Sequence, residues 1–256
     1  QMPLEIQVIP CLQDNYGYLI HETEQDVWAV VDAPEVAPLK AAIDAAGGRL
    51  DVILVTHHHD DHIQGIPDLV AAYGAKVIGH AKDAERLPAL DQAVSEGETI
   101  RLGAESATIL DVSGHTIGHI AFCFEGAKVA FTADSLMALG CGRVFEGTFA
   151  QMWESLKKLM ALDPQTQVYS GHNYGAANGR FAMSIEPENA ALVARIEAIA
   201  KADAAGEPIV PVTLAEELAT NPFLRAGEPS VKANVGMEGA EDGAVFAEVR
   251  KRKDSF

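Results

Sequence analysis

The fold is decided by one stretch, Val52-Ile-Leu-Val-Thr-His-His-His-Asp-Asp-His62. Its first four residues are apolar and predict a buried strand, and a dense cluster of imidazoles and carboxylates follows directly. Residues two apart in an extended segment point to the same side, so His57 and His59 can bind one ion together. Asp61 and His62, where the chain turns towards the next helix, can face a second ion.

Imidazole and carboxylate are suitable ligands for divalent cations such as zinc, manganese or iron. A run rich in His and Asp can also be a solvated loop or a metal-buffering tract. This run is internal and ends a hydrophobic strand, which favours a binding site. The three cysteines (Cys11, Cys123 and Cys141) lack the close spacing of a structural zinc site, so the metal chemistry depends on His and Asp.

Three further candidate ligands follow predicted strands. They are His115 after the strand 107–112, Asp134 after the strand 128–132, and His172 after the strand 167–170. A lone His at a strand end is more often a satisfied polar residue. Strand ends along one edge of a sheet can converge, however, so the three together predict a single site.

Composition limits the possible functions. The chain has 256 residues, enough for one large domain or two modest ones. The net charge of -18 argues against non-specific nucleic-acid binding, and an anionic substrate would need a local basic site. No membrane span or signal peptide is visible, and the few cysteines fit a reducing compartment. We therefore expect a cytoplasmic monomer with no membrane or nucleic-acid partner.

Periodicity predicts a mixed strand-and-helix region followed by an all-helical remainder after about residue 173. Strands are predicted at 4–9, 17–22, 26–32, 51–55, 76–78, 99–102, 107–112, 120–124, 128–132 and 167–170. Helices are predicted at 34–46, 66–73, 152–162, 188–205, 214–219 and 244–251. No low-complexity linker separates the two parts, so we expect the helical part to dock tightly.

These residues carry a resemblance to the metallo-β-lactamase superfamily, and within it to the glyoxalase II (hydroxyacylglutathione hydrolase) family. The resemblance covers essentially the whole chain. Beyond the metal-ligand pattern, it includes Asp14-Asn-Tyr16, Gly140-Cys-Gly-Arg-Val-Phe-Glu-Gly147, Asn221-Pro-Phe-Leu-Arg225 and Arg250-Lys-Arg-Lys-Asp-Ser-Phe256. It implies an α/β fold: an αββα sandwich in residues 1–172 as the catalytic domain, then a smaller all-helical glutathione-binding domain in residues 173–256.

The resemblance also implies a ligand set. One metal would be bound by His57, His59 and His115, and a second by Asp61, His62 and His172. Asp134 would bridge the two. The cofactors implied are two divalent ions, with zinc the first expectation and iron or manganese as alternatives.

The substrate-binding residues implied by the family are Arg143, Phe145, Tyr174, Arg250 and Lys253. Arg143 keeps the charge of a lysine found in some members. Phe145 replaces a tyrosine found in some, so a phenol hydrogen bond cannot form there. Arg250 and Lys253 are three apart and share a face if the helix persists. They suit the two carboxylates of glutathione, although a solvated helix end is the alternative.

The implied activity is hydrolysis of S-(2-hydroxyacyl)glutathione, by resemblance S-D-lactoylglutathione, to glutathione and D-lactate. This is the second step of methylglyoxal detoxification. A hydroxide held between the metals would attack the acyl carbon, with Asp134 fixing the metal pair and Asp61 orienting the hydroxide. Open alternatives are a lactonase, a β-lactamase, an iron persulfide dioxygenase or a non-catalytic metal-binding module.

Overall fold

The structure, a computed structural model, describes residues 3–256; the first two residues of the predicted catalytic domain lie outside that range. The strands are β1 (Leu4–Cys11), β2 (Asn15–Glu22), β3 (Val27–Val31), β4 (Val52–Leu54), β5 (Lys76–His80), β6 (Gln92–Val94), β7 (Thr99–Leu102), β8 (Glu105–Asp111), β9 (Ile120–Phe124), β10 (Val129–Ala133), β11 (Leu136–Met137), β12 (Gly140–Cys141), β13 (Gln167–Ser170) and β14 (Val212–Thr213). The helices are α1 (Val36–Ala45), α2 (Asp60–Ile63), α3 (Ile66–Tyr73), α4 (Phe149–Met160), α5 (Gly175–Ile185), α6 (Ala190–Ala205), α7 (Leu214–Thr220), α8 (Pro229–Asn234) and α9 (Asp242–Asp254). Every strand and helix predicted from periodicity is present, with ends shifted by a few residues.

Two six-stranded sheets organise these elements. The first has the order β1-β2-β3-β4-β5-β6, antiparallel from β1 to β3 and parallel from β3 to β6. The second has the order β14-β13-β10-β9-β8-β7, in which only β10 and β13 are parallel. A hairpin of β11 and β12 stands beside them.

Three apolar layers show that the sheets are stacked between helices. Side chains from both sheets, including Tyr18, Phe122 and Phe131, form the central layer. On the outer face of the first sheet, α1 and α3 contribute Leu39 and Leu69 among others. On the outer face of the second sheet lies a third cluster, which includes residues of α4 and α9. The predicted αββα sandwich is therefore confirmed.

The part of the chain after residue 173 is helical except for β14, a two-residue strand that the sequence did not predict. This strand pairs with β13 at the edge of the second sheet. Leu192 and Ile199 of α6 belong to the central apolar layer. Asn221, fully buried, donates from Nδ2 to the carbonyls of Met137 and Gly140. These contacts dock the helical part against the sandwich.

The elements missed from the sequence are short or weakly patterned. Several, such as β6, β11 and β14, have only two or three residues, too few for a period to register. The helix α5 contains Gly175 and Gly179, which weaken the intrinsic helix signal, and the tertiary packing of Phe181 in the same helix compensates. No helix among residues 3–256 is long and apolar enough to cross a membrane.

Candidate metal centre

The seven candidate ligands lie where strands end. His57 and His59 follow β4, and the short helix α2 that comes next carries Asp61 and His62. The backbone at His59 is extended (φ −60°, ψ 140°), as the alternation predicted. The other three ligands, His115, Asp134 and His172, follow β8, β10 and β13. The structure thus brings together side chains from both sheets at one edge of the sandwich.

Asp134 is the centre of the cluster. Its Oδ2 atom lies 3.2 Å from Nε2 of His172, 3.3 Å from Nε2 of His62, 3.4 Å from Nε2 of His115 and 3.6 Å from Nε2 of His57. A single carboxylate oxygen therefore faces four imidazole nitrogens. This is the geometry expected of a bridging ligand.

The remaining ligand atoms fall into two groups around that oxygen. In the first, Nδ1 of His59 lies 3.1 Å from Nε2 of His115. In the second, Oδ2 of Asp61 lies 3.2 Å from Nε2 of His172 and 3.6 Å from Nε2 of His62. All candidate ligand atoms within each group lie within 4.8 Å of one another: His57, His59, His115 and Asp134 in one, and Asp61, His62 and His172 in the other.

Buried partners orient the rings of this cluster from behind. Asp32 accepts hydrogen bonds on Oδ2 from Nδ1 of His62 and from the Thr56 hydroxyl, each at 2.7 Å. Thr56 in turn accepts from Nδ1 of His57 at 2.9 Å. Such hydrogen bonds fix the ring orientation and leave Nε2 free to bind metal.

Sequence reasoning missed Asp32, although it directly follows β3, as the predicted ligand Asp134 follows β10. The same strand-end rule would have found it.

Residues at the β1–β2 turn form hydrogen bonds with the second group of candidate ligands. Nδ1 of His172 donates to Asp14 at 2.9 Å, and Nδ2 of Asn15 donates to Oδ2 of Asp61 at 3.0 Å. The sequence marked this turn only as a family-like segment. The structure shows that it orients one imidazole and one carboxylate of the cluster.

His119 packs against one candidate ligand and accepts a hydrogen bond from the backbone of another. Its ring stacks on that of His57, with centroids 4.4 Å apart, and its Nε2 accepts from the backbone N–H of Asp134. It is fully buried, and burial lowers its pKa to about 3.

The electrostatics around the second ligand group favour positive charge, whereas burial lowers the pKa of His57 in the first group. Burial works to lower the pKa of His172, but the carboxylates of Asp134 and Asp61 outweigh it and raise the pKa to about 10. Burial works to raise the pKa of Asp134, yet the charge of His62 and hydrogen bonds from other imidazoles hold it well below its ordinary value. A field that holds protons so firmly also attracts a metal cation.

The donor set fits divalent metal ions. Nε2 of His62 and Nε2 of His172 lie 3.3 Å apart, although the opposite ring nitrogens already donate to carboxylates. Nε2 of His57 is buried and has no hydrogen-bond partner within residues 3–256. Acceptors that converge in this way are stabilised by a cation between them. The cluster can therefore hold divalent metal ions.

The close packing leaves no room for a side chain at Gly171. A Cβ atom there would lie 2.2 Å from Oδ1 of Asp134 and 2.9 Å from Cε1 of His62. Ala133, whose carbonyl accepts a hydrogen bond from the N–H of Gly171, has a positive φ of 44°. Backbone strain of this kind is typical of functional sites.

Phe145 and Tyr174, the two aromatic residues that the family resemblance implies for substrate binding, lie at the rim of the cluster. Phe145 is 61% exposed, and its ring centroid lies 5.3 Å from that of His115 and 6.0 Å from that of His59. Tyr174, half-exposed, stacks on His172 with centroids 4.7 Å apart. Both rings are therefore accessible directly beside the candidate ligands.

The predicted basic residues form a second part of the rim. Arg143 is exposed, and Nε lies 3.4 Å from Asp254. Lys253 is half-buried, and its pKa is lowered by burial and by the charges of Arg250 and Arg143. Arg143 and Arg250 thus share the one carboxylate of Asp254, and Lys253 adds a third positive charge nearby, which leaves a positive patch on an acidic protein.

Arg250 is placed differently from the other predicted cations. It is 3% exposed, and it donates from Nη1 to the carbonyl of Cys141 at 2.7 Å and from Nη2 to Asp254 at 3.0 Å. Its guanidinium also lies 5.0 Å from the ring centroid of Phe223. The structure therefore uses Arg250 to join α9 to the β11–β12 hairpin, and its direct contact with a ligand stays a prediction.

Comparison with known proteins agrees with this fold and this cluster. A family model described as the metallo-beta-lactamase superfamily matches residues 18–172. The structure of ETHE1 from Myxococcus xanthus superposes with a TM-score of 0.66 at 21% identity, covering 98% of this chain and 99% of that one. Fold and site together define a member of the metallo-β-lactamase superfamily.

The C-terminal part of the chain and its full-length relatives identify the family within this superfamily. A model described as hydroxyacylglutathione hydrolase C-terminus matches residues 173–256. The hydroxyacylglutathione hydrolase of Jannaschia sp. (strain CCS1) is 59% identical over 252 residues, 98% of each chain. That of Cereibacter sphaeroides (strain ATCC 17025 / ATH 2.4.3) is 55% identical over 255 residues, the full length of both. The chain belongs to the hydroxyacylglutathione hydrolase family, as its sequence motifs predicted.

Proposed function

We propose that this protein hydrolyses thioesters of glutathione with 2-hydroxy acids, S-D-lactoylglutathione among them, to glutathione and the free acid. The observation that carries the proposal is the pairing of a seven-ligand cluster with an accessible rim that is both aromatic and basic. The cluster suits hydrolysis of an acyl group, and the rim suits an anionic thiol carrier.

The cluster is proposed to bind two divalent ions, with zinc the first expectation. His57, His59 and His115 would hold one and Asp61, His62 and His172 the other, with Asp134 shared. Ions held there would supply Lewis acidity, which brings the pKa of water towards neutrality and polarises a carbonyl. Supporting this assignment, the two groups meet at a single oxygen of Asp134.

The protein's own groups would prepare the reaction around those ions. Asp61 accepts from Asn15, which fixes its carboxylate, and its partial exposure lets it accept a hydrogen bond from the attacking water. Phe145 would shield the thioester from bulk solvent. In the net reaction a C–O bond from water replaces the C–S bond, and the thiolate of glutathione leaves with a proton from that water.

The basic patch is proposed to bind the carboxylates of glutathione. Lys253 and Arg143 are the accessible cations of the patch, and their charges are only partly balanced by Asp254. Tyr174 would lie alongside the peptide. If these contacts bind the substrate and the transition state equally, they lower KM without raising kcat.

We infer a division of labour along the chain, with residues 1–172 as the catalytic domain and 173–256 as the glutathione-binding domain. The boundaries of the two matching family models support it. Tyr174 and Lys253 come from the second part, whereas Arg143 and Phe145 come from the first. The predictions of a cytoplasmic monomer remain predictions.

A steady-state assay tests the proposed function. S-D-lactoylglutathione, a β-lactam and a lactone would be compared on one sample whose metal content is measured. We expect the thioester to be hydrolysed with the highest kcat/KM and about two metal ions to be bound per chain. A preference for the lactone or the β-lactam, or oxygen consumption with glutathione persulfide and a single iron, would replace the proposal with one of those activities.

A further inference from the structure

Glu146 lies in the same segment as the rim residues Arg143 and Phe145, and its carboxylate contacts three other segments of the chain. Oε1 accepts from the backbone N–H of Ile117 at 2.9 Å and from Nη2 of Arg86 at 3.0 Å. Oε2 accepts from Nη1 of Arg86 and lies 3.4 Å from Nε2 of His58. The Arg86–Glu146 pair is thus doubly hydrogen bonded.

Arg86 is itself anchored at its other side. It follows β5, and it donates from Nε to Oδ1 of Asp83 at 2.7 Å and from Nη2 to Oδ2 at 3.1 Å. Asp83 is 5% exposed and packs so closely on Gly118 that a Cβ atom there would lie 2.3 Å from its Oδ2. The guanidinium of Arg86 thus makes paired hydrogen bonds to two carboxylates, and this planar geometry fixes its position.

The segments joined by this pair carry the metal ligands. His58 lies between two ligands in the sequence, and Ile117 lies two residues after the ligand His115. The segment of Glu146 also contacts the cluster directly, because the carbonyl of Arg143 accepts from Nδ1 of His115 at 2.7 Å. At Gly142 a Cβ atom would lie 2.1 Å from the carbonyl oxygen of Asp134, so this end of the segment is tightly packed.

Phe145 therefore lies between two fixed points. On one side the segment is held by His115, and on the other by Arg86 through Glu146. The ring itself is 61% exposed, so packing alone does little to fix it. The hydrogen bonds from Arg86 lower the pKa of Glu146 to about 2, which keeps this carboxylate charged at neutral pH.

We propose that Arg86 is a positioning residue of the site, which through Glu146 holds Phe145 and Arg143 over the metal ligands. The consequence for substrate binding rests on the proposed function. Arg86 touches neither the cluster nor the rim rings, and it acts through the segment that carries them.

A plain surface ion pair is the competing explanation, because such pairs contribute little to stability. The chain offers a matched control for it. Arg49 also bridges two carboxylates, with Nη1 3.1 Å from Asp26 and Nε 3.0 Å from Asp51. Its side chain is 52% exposed, close to the 41% of Arg86, but it lies in the loop before β4, at the opposite end of that strand from the ligands.

The test compares Arg86→Ala, Arg86→Lys and Arg49→Ala as metal-loaded full-length proteins. The readouts are KM and kcat for lactoylglutathione, metal content, and hydrogen exchange of peptides covering residues 113–119 and 142–148. In Arg86→Ala we expect KM to rise on the order of tenfold with kcat changed by less than about twofold, and the amides of 142–148 to exchange faster. In Arg86→Lys both the KM and the exchange rate should return part of the way to the wild-type values. Arg49→Ala should change neither quantity.

Unchanged exchange in Arg86→Ala would overturn the positioning role. So would faster exchange with an unchanged KM, or an equal rise in KM in Arg49→Ala. A wild-type protein without activity on glutathione thioesters would instead overturn the proposed function, and the exchange measurement would still decide whether Arg86 positions the segment.

Discussion

The metal cluster and its rim are built in opposite ways. The cluster is largely buried, with only His59 and Asp61 partly exposed, and its side chains contact one another, as Asp134 contacts four imidazoles. The rim is exposed: Phe145 and Tyr174 have large accessible faces, and Arg143 has a single shared partner. A substitution in the cluster therefore disturbs many contacts, whereas one in the rim disturbs few.

This difference fits two separate tasks, the reaction at the cluster and substrate binding at the rim. Ligands of the reacting centre must keep their positions to within tenths of an ångström, which requires burial and mutual support. Groups that bind a soluble peptide must stay open to solvent. Variants of the cluster should therefore lower metal content and kcat, and variants of the rim should mainly change KM.

Asp134→Ala should have the largest effect. It removes the oxygen that both ligand groups share, so turnover should fall by more than about 100-fold, beyond the loss typical of outer partners. Metal analysis and kcat on one preparation measure it. Asp163→Ala, at an exposed carboxylate paired with Lys128, is the control. Full activity in Asp134→Ala would defeat the bridging assignment.

Asp32→Asn tests the hydrogen bonds that orient the candidate ligands. The substitution keeps the shape but weakens the hydrogen bonds from His62 and Thr56, so metal affinity should fall by roughly 10- to 100-fold. Competition with a chelator of known affinity measures this. Asp51→Asn, which changes an acceptor for the N–H of Trp28, should leave the affinity unchanged. Equal affinities in the two variants would show that the outer hydrogen bonds do not matter.

Lys253→Ala tests the rim. Loss of one charged contact to a glutathione carboxylate should raise KM roughly tenfold and leave kcat and metal content nearly unchanged. Lys251→Ala, an exposed lysine on the same helix, is the matched control. If both variants have the wild-type KM, the basic patch does not bind substrate. Arg250→Ala is a poorer test, because that side chain also satisfies the carbonyl of Cys141.

Phe145→Tyr should have the smallest effect. It adds the hydroxyl that some family members carry, so KM for lactoylglutathione should fall by about threefold through one new hydrogen bond. Phe145→Leu, which removes the ring, should raise KM instead. A lower KM in both variants would show that this position acts through its size and not through a hydroxyl.

The clustering of the seven candidate ligands could be predicted because its signals are local. Strands of four or more apolar residues are visible in the sequence, and the residue types just beyond their ends suit a metal. Asp32 obeys the same rule but was missed, since a single acid after a strand has no neighbouring ligand to mark it.

The contacts between distant segments could not be predicted. Arg86 and Glu146 are 60 residues apart, and neither stands in a motif that refers to the other. The buried position of Arg250 was also invisible, because a basic residue near a helix end usually faces solvent. Similarly, the weakly patterned α5 and the two-residue β14 form through packing and pairing with elements already in place.

The sequence alone determined the family, the αββα order of elements and the identity of the seven candidate ligands. The candidate ligands follow from residue types at strand ends, and the family resemblance follows from motifs; both are properties of short stretches, and the resemblance in turn implied the αββα order. The tertiary structure alone decided that four imidazoles meet one oxygen of Asp134, that Asp32 and Asp14 orient two of these rings, and that Arg86 reaches Glu146. These contacts join residues that are far apart in the sequence. They depend on how the two sheets stack, which no single stretch of the sequence specifies.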